Sequence, residues 1–380
     1  MKIVVLTTDN REHSRDYANP TPYFGTAPEA LLQGFAMLQD VEVHVVSCLR
    51  QPVQSPGKLA PNIYYHSLIV PKIGWMSTGY QGCIRAVRSK LGEIKPDIVH
   101  GQGTERDCAI AAVFSGFPNV LTIHGNMRLI AKVNNVSPFS YNWLNAHLER
   151  FTIPLSAGVV CITNYTREAV QSLAKRTWVL PNAVDARFFD VERRASTVPV
   201  ILCVGLVCHR KNQNAFIRAL DPLAESKKFH LVFLGQASAN SPYGAEFFKL
   251  LRTRPWCEYA GFADRAKLRG HFADATALAL PSLEDNCPMA VLEAMAAGVP
   301  VTAANVGGVP DLLQDGVTGI LCDPNDGATM RSGVGRILDD PGLAAKLATT
   351  AKQRAMERFH PRVIASHHLE IYREVLQDRL

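Results

Sequence analysis

A chain of 380 residues exceeds the roughly 250–300 at which single cores divide, so two domains are expected, each long enough to bury a sizeable core. With 47% hydrophobic and 19% charged residues and no low-complexity tract, the chain is neither disordered nor fibrous. The net charge of +6 is carried by scattered Lys and Arg, which argues against nucleic acid as a partner and suits an anionic small ligand or contact with an anionic membrane surface.

Nine Cys, dispersed and never in CxxC spacing, argue against a disulfide framework and against a zinc site. A reducing cytoplasm fits, and no metal is expected. The N-terminal stretch MKIVVLTTDN has too short an apolar run for a signal peptide, and the run from Val198 to Cys208 is about half of a membrane span. A cytoplasmic protein is expected, soluble or held peripherally at the inner face of the membrane.

In chain order, KIVVLTT, EVHVVS, DIVHG, VLTIHG and GVVCIT read as strands separated by helical stretches, followed by VILCVG, HLVFLG, ALALPS and VPVTAA. Continuous apolar strands alternating with helices imply parallel sheets covered on both faces, an α/β class. Between Arg187 and Pro199 the pattern lapses into the polar stretch RFFDVERRASTVP, read as a linker between domains at 1–190 and 199–360. Two doubly wound domains would bind a ligand in the crevice outside the carboxyl ends of their strands. The last segment, 361–380, reads as an amphipathic helix with Val363, Ile364, His367, Ile371, Tyr372 and Val375 on one side, packing back on either domain.

A hydride-transferring Rossmann enzyme would carry GxGxxG after its first strand, where VVLTTDNREH has no Gly. HGQGTERDCA offers Gly101 and Gly103 but Arg106 in the third position, and reads as a Gly-rich turn opening a helix. No cofactor is expected. In VILCVGLVCHRKNQNAFIRAL a strand ends at Gly205 and a helix starts near Asn212, with Arg210 and Lys211 at its start. Cations are unfavourable at the positive end of a helix dipole, so this pair suggests an anion held by both charges and by backbone N–H groups.

From Pro288 to Ala297 every residue is apolar except Glu293, so the helix would be buried and Glu293 with it. A buried carboxylate asks for a partner, which need not belong to the chain. Pro288 suits the first helical position, preceded by Asn286 or Cys287, and Gly298 with Pro300 closes the helix. Asp285 stands just before it, and Glu293 lies about 7.5 Å beyond Pro288 along the axis. Two carboxylates at that separation, beside a cationic phosphate site, match the sugar, diphosphate and ribose of a nucleotide sugar.

Asp285 to Glu293 resembles the E-x7-E region of retaining glycosyltransferases of family 4 with the GT-B fold, two Rossmann-like domains facing a cleft. VLPNAVDARFF, with Asn182 and Asp185, resembles the Asn-Gly-Val-Asp segment of that family, and LVFLGQ, YAGFADRAKLRGHFADATALALPSLEDN and NVGGVPDLLQDGVTGILCDPND follow in family order. PDIVHGQG and LTIHGNM resemble its first-domain strand ends. The resemblance implies a metal-independent transfer of a sugar from a nucleoside diphosphate donor to a glycan or lipid-linked acceptor, in polysaccharide or glycoconjugate synthesis. It implies that Glu293 binds the ribose, that Asp285 or Glu284 meets the sugar hydroxyls, and that His124 faces the donor sugar. Lys211, helped by Arg210, would neutralise the diphosphate, with Gly205, Asn286, Cys287, Pro288, Met289, Gly307 and Gly308 around the donor and Gly25 on the acceptor side. The chain departs from the pattern at Leu206, where Arg is usual, and at Asp285, where Glu is usual. Alternatives are a nucleotide-sugar epimerase or phosphorylase of the same architecture, or a non-catalytic nucleotide-sugar-binding subunit.

Overall fold

Most of the apolar runs become strands buried on both faces, and a computed structural model places them for residues 1–133 and 136–378. The chain divides into two units, Met1–Ala183 with Pro361–Leu380, and Val184–His360. The polar stretch 187–199 therefore lies inside the second unit, where Arg193 donates to the carbonyl of Phe272 at 2.5 Å and the Arg194 N–H donates to that of Ala273 at 2.8 Å.

The first unit contains β1 (Lys2–Leu6), β2 (Glu42–Leu49), β3 (Lys58–Ala60), β4 (Ile63–Ile69), β5 (Ile98–Gln102), β6 (Asn119–Ile123), β7 (Val159–Cys161) and β8 (Thr177–Val179). They form one sheet in the order β3-β4-β2-β1-β5-β6-β7-β8, parallel except for β3 against β4. Only Pro61 and Asn62 separate those two strands, and so short a connection requires an antiparallel pair. Asn62 fixes the turn by donating to the carbonyls of Phe35 (3.0 Å) and Val41 (3.2 Å).

One face of this sheet is covered by the helices Thr26–Ala36 and Pro361–Gln377, which share a core with Ile98, Val120, Leu31, Phe35, Ile364, Leu369 and Tyr372. Residues 379 and 380 of the expected terminal helix lie outside the described residues. The packed stripe is Ile364, Ala365, His368, Leu369, Ile371, Tyr372 and Val375, so the expected His367 is corrected to His368. Positions 364, 368, 372 and 375 follow the helical repeat; His367 falls off it and is exposed.

The second unit holds β9 (Val200–Val204), β10 (His230–Leu234), β11 (Cys257–Gly261), β12 (Ala277–Leu280), β13 (Val301–Ala304) and β14 (Ile320–Cys322). Their order is β11-β10-β9-β12-β13-β14, all parallel. The helix Gln213–Ser226 buries Phe216, Leu220 and Leu223 on this sheet, as its spacing predicts, and Asn212 caps it in the left-handed region at φ 59°.

Gly34 sets how closely the two covering helices of the first unit approach. A Cβ there would stand 2.1 Å from the carbonyl oxygen of Pro361 and 2.8 Å from Cβ of Ala365. Ala gains up to about 1 kcal/mol of helix propensity over Gly, but overpacking against backbone costs about 1–3 kcal/mol, so the clash wins. Gly34→Ala is expected to lower the urea midpoint of the first unit and to speed proteolytic removal of the terminal helix; unchanged stability would refute the close packing.

Candidate active site

In the second unit the chain runs outward from β9 to β10 and β11, then returns to the other side of β9 to lay down β12, β13 and β14. The reversal falls between β9 and β12, and ligands of open α/β sheets bind outside the strand ends at such a point. The end of β9 supplies Gly205 and the short turn His209–Lys211; the end of β12 supplies Ser282, Glu284 and Asp285. The two loops are tied by the Leu283 N–H donating to the Arg210 carbonyl at 2.8 Å.

These loops bring the expected cations and carboxylates together, with each satisfying the other. The Lys211 ammonium pairs with the Asp285 carboxylate, which also accepts from the Ser282 hydroxyl at 3.1 Å. Arg210 donates to the Glu284 carbonyl at 2.9 Å, and its Nη1 lies 3.4 Å from the Glu284 carboxylate and 3.7 Å from that of Asp285. Burial pushes the Glu284 carboxyl up, opposed by Arg210. Lys211 and Asp285 side chains are only 14% and 10% exposed, so each needs the other until a competing ion arrives.

Gly307 and Gly308 shape the loop that carries Asp285. Gly307 has φ 54°, and a Cβ on it would stand 2.0 Å from the Asp285 carbonyl oxygen; the Gly308 N–H donates to that oxygen at 3.0 Å. The Gly308 amide is thereby committed to this loop.

The helix after this loop runs Met289–Ala296, with Pro288 as its N-cap instead of its first residue and Gly298 (φ 67°) ending it. Cys287 and Pro288 are buried, Asn286 and Met289 partly so. Glu293 is 2% exposed, as expected, but its partner belongs to the chain. Arg265 Nη1, from the helix Arg265–Asp274, lies 2.5 Å from Glu293 Oε1, and the Arg265 guanidinium lies 4.7 Å from the centre of the Phe188 ring. The burial of Glu293 therefore does not by itself demand an external ligand. Burial pushes its carboxyl up and Arg265 opposes this; the nearby Asp185 pushes it up further while holding its own partner, Arg187, at 2.5 Å. Arg265 was missed in the sequence because it lies 28 positions away with no periodic link to Glu293.

A cleft of about 410 Å³ opens at the carboxyl ends of β9, β10 and β11, lined by Gly205, Leu206, Gly235, Gln236, Phe262 and Leu268 among others. Leu206 is 54% and Phe262 69% exposed, so both present apolar surface to the cleft. Gly235 lets the two strand ends approach, since a Cβ there would stand 2.1 Å from the Gly205 carbonyl oxygen. Exposed Phe beside apolar Leu in a slot suits a flat ring; Phe262 and Gln236 lie in segments that follow the family order, but neither was singled out as a site residue.

In the first unit the sheet order reverses between β1 and β5. His124 follows β6, and its Nε2 donates to Gln102 Oε1 at 2.7 Å. Burial pushes this imidazole down to about 4, with a hydrogen bond to Asn182 opposing, so it is neutral at physiological pH. Gly25, at φ 88°, caps the helix Thr26–Ala36 without a side-chain hydrogen bond.

Residues 185–354 match the family profile described as Glycosyl transferases group 1, and residues 29–188 match Glycosyltransferase Family 4. The chain belongs to glycosyltransferase family 4. It is 27% identical over 288 residues to the glycogen synthase of Mycobacterium tuberculosis, covering 73% of this chain and 69% of that one. Among solved structures it is similar to sucrose-phosphate synthase from Thermosynechococcus elongatus, with a TM-score of 0.78, 18% identity and full coverage of both chains. It is also similar to Anabaena HepE in complex with UDP, with a TM-score of 0.71 and 18% identity over 98% of this chain and all of that one. These likenesses establish the GT-B class of fold for this glycosyltransferase.

Among the described residues of the glycosyltransferase one group has the composition of a metal site: Cys48, Cys83 and Asp107, buried, with ligand atoms within 4.8 Å of one another. A hydrogen bond with Cys83, then burial, push the Cys48 thiol up, and Asp107 accepts from Cys48. Protein groups alone thus account for that cluster, in which Asp107 also has the charge of Arg106 nearby.

Replacing Arg265 with Met would leave Glu293 buried without its partner, at a cost of about 3 kcal/mol or more at pH 8. A carboxyl raised further in the folded state takes up a proton there as pH falls, while unfolded Glu stays ionised to near pH 4.5, so the loss should shrink toward pH 5. Urea unfolding of both chains at the two pH values reads this difference; an equal loss at both would contradict a buried charge.

Proposed function

We propose that this glycosyltransferase moves a sugar from a nucleoside diphosphate donor to a hydroxyl of a glycan or lipid-linked acceptor, with retention at the anomeric carbon and without a metal. The observation that carries the reading is the paired cluster Lys211–Asp285 and Arg210–Glu284 at the reversal point of the second sheet, with an apolar cleft on the other side of β9, at the ends of β9, β10 and β11. The base enters the slot against Phe262 and Leu206. Leu206, standing where Arg is usual, makes that wall apolar and leaves the phosphate charge to Arg210 and Lys211.

The diphosphate competes with Asp285 for Lys211, and the released carboxylate, with Glu284, turns to the sugar hydroxyls. Glu293, held in one orientation by Arg265, accepts from the ribose hydroxyls. His124, neutral at physiological pH, is assigned to the donor sugar by the family resemblance alone. In the same-face displacement the acceptor oxygen bonds to the anomeric carbon as the bond to the β-phosphate oxygen breaks. That oxygen takes the acceptor proton, and Lys211 and Arg210 stabilise the charge left on the diphosphate. Positive side chains thereby do what a divalent ion does elsewhere.

HepE was solved with UDP, which supports a uridine donor, and the glycogen synthase relative supports a role in polysaccharide synthesis. No described helix is long and apolar enough to cross a membrane. A cytoplasmic site of action, with peripheral contact at an anionic membrane, fits the net charge of +6 and a lipid-linked acceptor.

Calorimetric titration with UDP, GDP and ADP, with and without Mg²⁺, tests the reading. One nucleotide is expected to bind without metal, and Lys211→Ala and Glu293→Gln should each weaken it about ten- to hundred-fold, the worth of about 1.5–3 kcal/mol. Failure of all three to bind would withdraw the donor assignment, and binding that needs Mg²⁺ would withdraw metal independence.

A further inference from the structure

His124, half-buried, is one end of a buried polar chain that runs along one face of the first sheet to the terminal helix. His100 and Gln102 lie two apart on β5, and Thr122 and His124 two apart at the end of β6, so all four stand on one face. Gln102 and Thr122 are in register. That face is the one covered by Pro361–Gln377, since Ile98 and Val120 pack with Leu369 and Tyr372.

The links are short and almost wholly buried. The Tyr372 hydroxyl is 2.6 Å from His100 Nδ1, and His100 Nε2 is 2.7 Å from the Thr122 hydroxyl. The Gln102 amide nitrogen lies 3.2 Å from His100 Nε2 and 3.3 Å from Nδ1, while its carbonyl oxygen faces His124 Nε2 at 2.7 Å. His100 and Tyr372 are 0% exposed and Gln102 6%. His368, one turn before Tyr372, stands with its ring 5.0 Å from that of His100.

Polarity fixes the order of donors along this chain. A primary amide has one accepting oxygen and one donating nitrogen, so the side it turns to His124 acts, together with the hydrogen bond between His124 and Asn182, on which imidazole nitrogen carries the proton. With the oxygen toward His124, Nε2 must be the donor. Turning the amide over would put its N–H groups against Nε2, which would then have to accept, and so would select the Nδ1–H tautomer; it would also take the amide nitrogen away from the His100 ring. His100 thus holds the amide, and Tyr372 and Thr122 hold His100.

We propose that Tyr372 of the terminal helix, acting through His100 and Gln102, is a positioning residue that fixes His124 as its Nε2–H tautomer and sets the plane of its ring. The consequence for catalysis rests on the reading of His124 as the group that faces the donor sugar. A hydroxyl on a helix that enters the chain after the whole second unit thereby specifies one hydrogen-bonding pattern at the end of β6.

Two-bond ¹H–¹⁵N spectra of protein labelled at histidine test this directly, with the His124→Asn spectrum assigning the His124 signals. The unmodified protein should show a protonated Nε2 and a bare Nδ1. Tyr372→Phe keeps the ring and removes the hydroxyl; the His124 signals should move toward a tautomer average. Val375→Ala, on the same packed stripe, destabilises the helix without touching the chain and should leave them in place. Nucleotide release from UDP-glucose, GDP-mannose and ADP-glucose is followed in parallel. Tyr372→Phe should lower kcat on the donor that is used by about three- to tenfold, the worth of one neutral hydrogen bond, with KM little changed. Unmoved His124 signals in Tyr372→Phe, or equal movement in Val375→Ala, would overturn the proposal. Signals that move while kcat does not would uphold the chain and remove His124 from the sugar site.

Discussion

Asp285 is the joint on which the second unit's site depends. Its carboxylate holds Lys211 from the end of β9 and accepts from Ser282 on its own loop; its carbonyl accepts from Gly308 after β13. Three strand ends are thus fastened through one residue. A charge this buried is tolerated only because both ends of the pair are present, and removing either partner of such a pair costs about 3–5 kcal/mol. The same pairing keeps the cation from binding anions indiscriminately, because an incoming diphosphate must offer more than Asp285 already does.

Glu293 and Arg265 repeat the arrangement one layer deeper. Their pairing makes the carboxylate affordable in an apolar helix, while Arg265 keeps part of its side chain, 24%, open to solvent. A carboxylate anchored on one oxygen is better placed to accept from a pair of hydroxyls than a freely rotating one, since less rotamer entropy is lost when the ligand arrives. Structural pairing and ligand binding are compatible roles for the same group.

The interior strands were legible because they are buried on both faces and read as unbroken apolar runs. The ones that escaped, β3, β4, β8, β11 and β14, lie at or next to sheet edges, where strands are short or only partly buried; β11 alternates half-buried and exposed residues along CEYAG. In the site, Lys211 and Glu293 were visible because a charge in a dipole-opposed or apolar setting violates a local rule, and Asp285 because of its spacing from Glu293. Arg265, Phe262 and Gln236 violate none: they lie within segments that follow the family order, but only the fold shows Phe262 and Gln236 lining the cleft and Arg265 pairing with Glu293. His100 and Gln102 were hidden for the same reason, since a polar residue in a strand reads as an exposed one until the terminal helix is seen to cover it, whereas Tyr372 was legible on the packing side of that helix.

That helix also constrains how the chain can fold. The first unit is interrupted after Ala183 and resumes at Pro361, so its sheet cannot cover the face bearing His100 and Gln102 until the second unit has been passed. If the intervening segment stayed unfolded, closing so long a loop would cost more than closing a short one, though only logarithmically more. Burying the Ile364, Leu369 and Tyr372 side chains, at about 1.5–3 kcal/mol for each large apolar group, readily exceeds that increment. The helix is therefore held by ordinary packing, with Gly34 permitting the approach, and the polar chain it completes adds specificity of orientation instead of bulk stability. Apolar residues at His100, Gln102 and Tyr372 would pack at least as well. Their polarity is explained by what lies at the end of the chain, a histidine at the mouth of the first sheet.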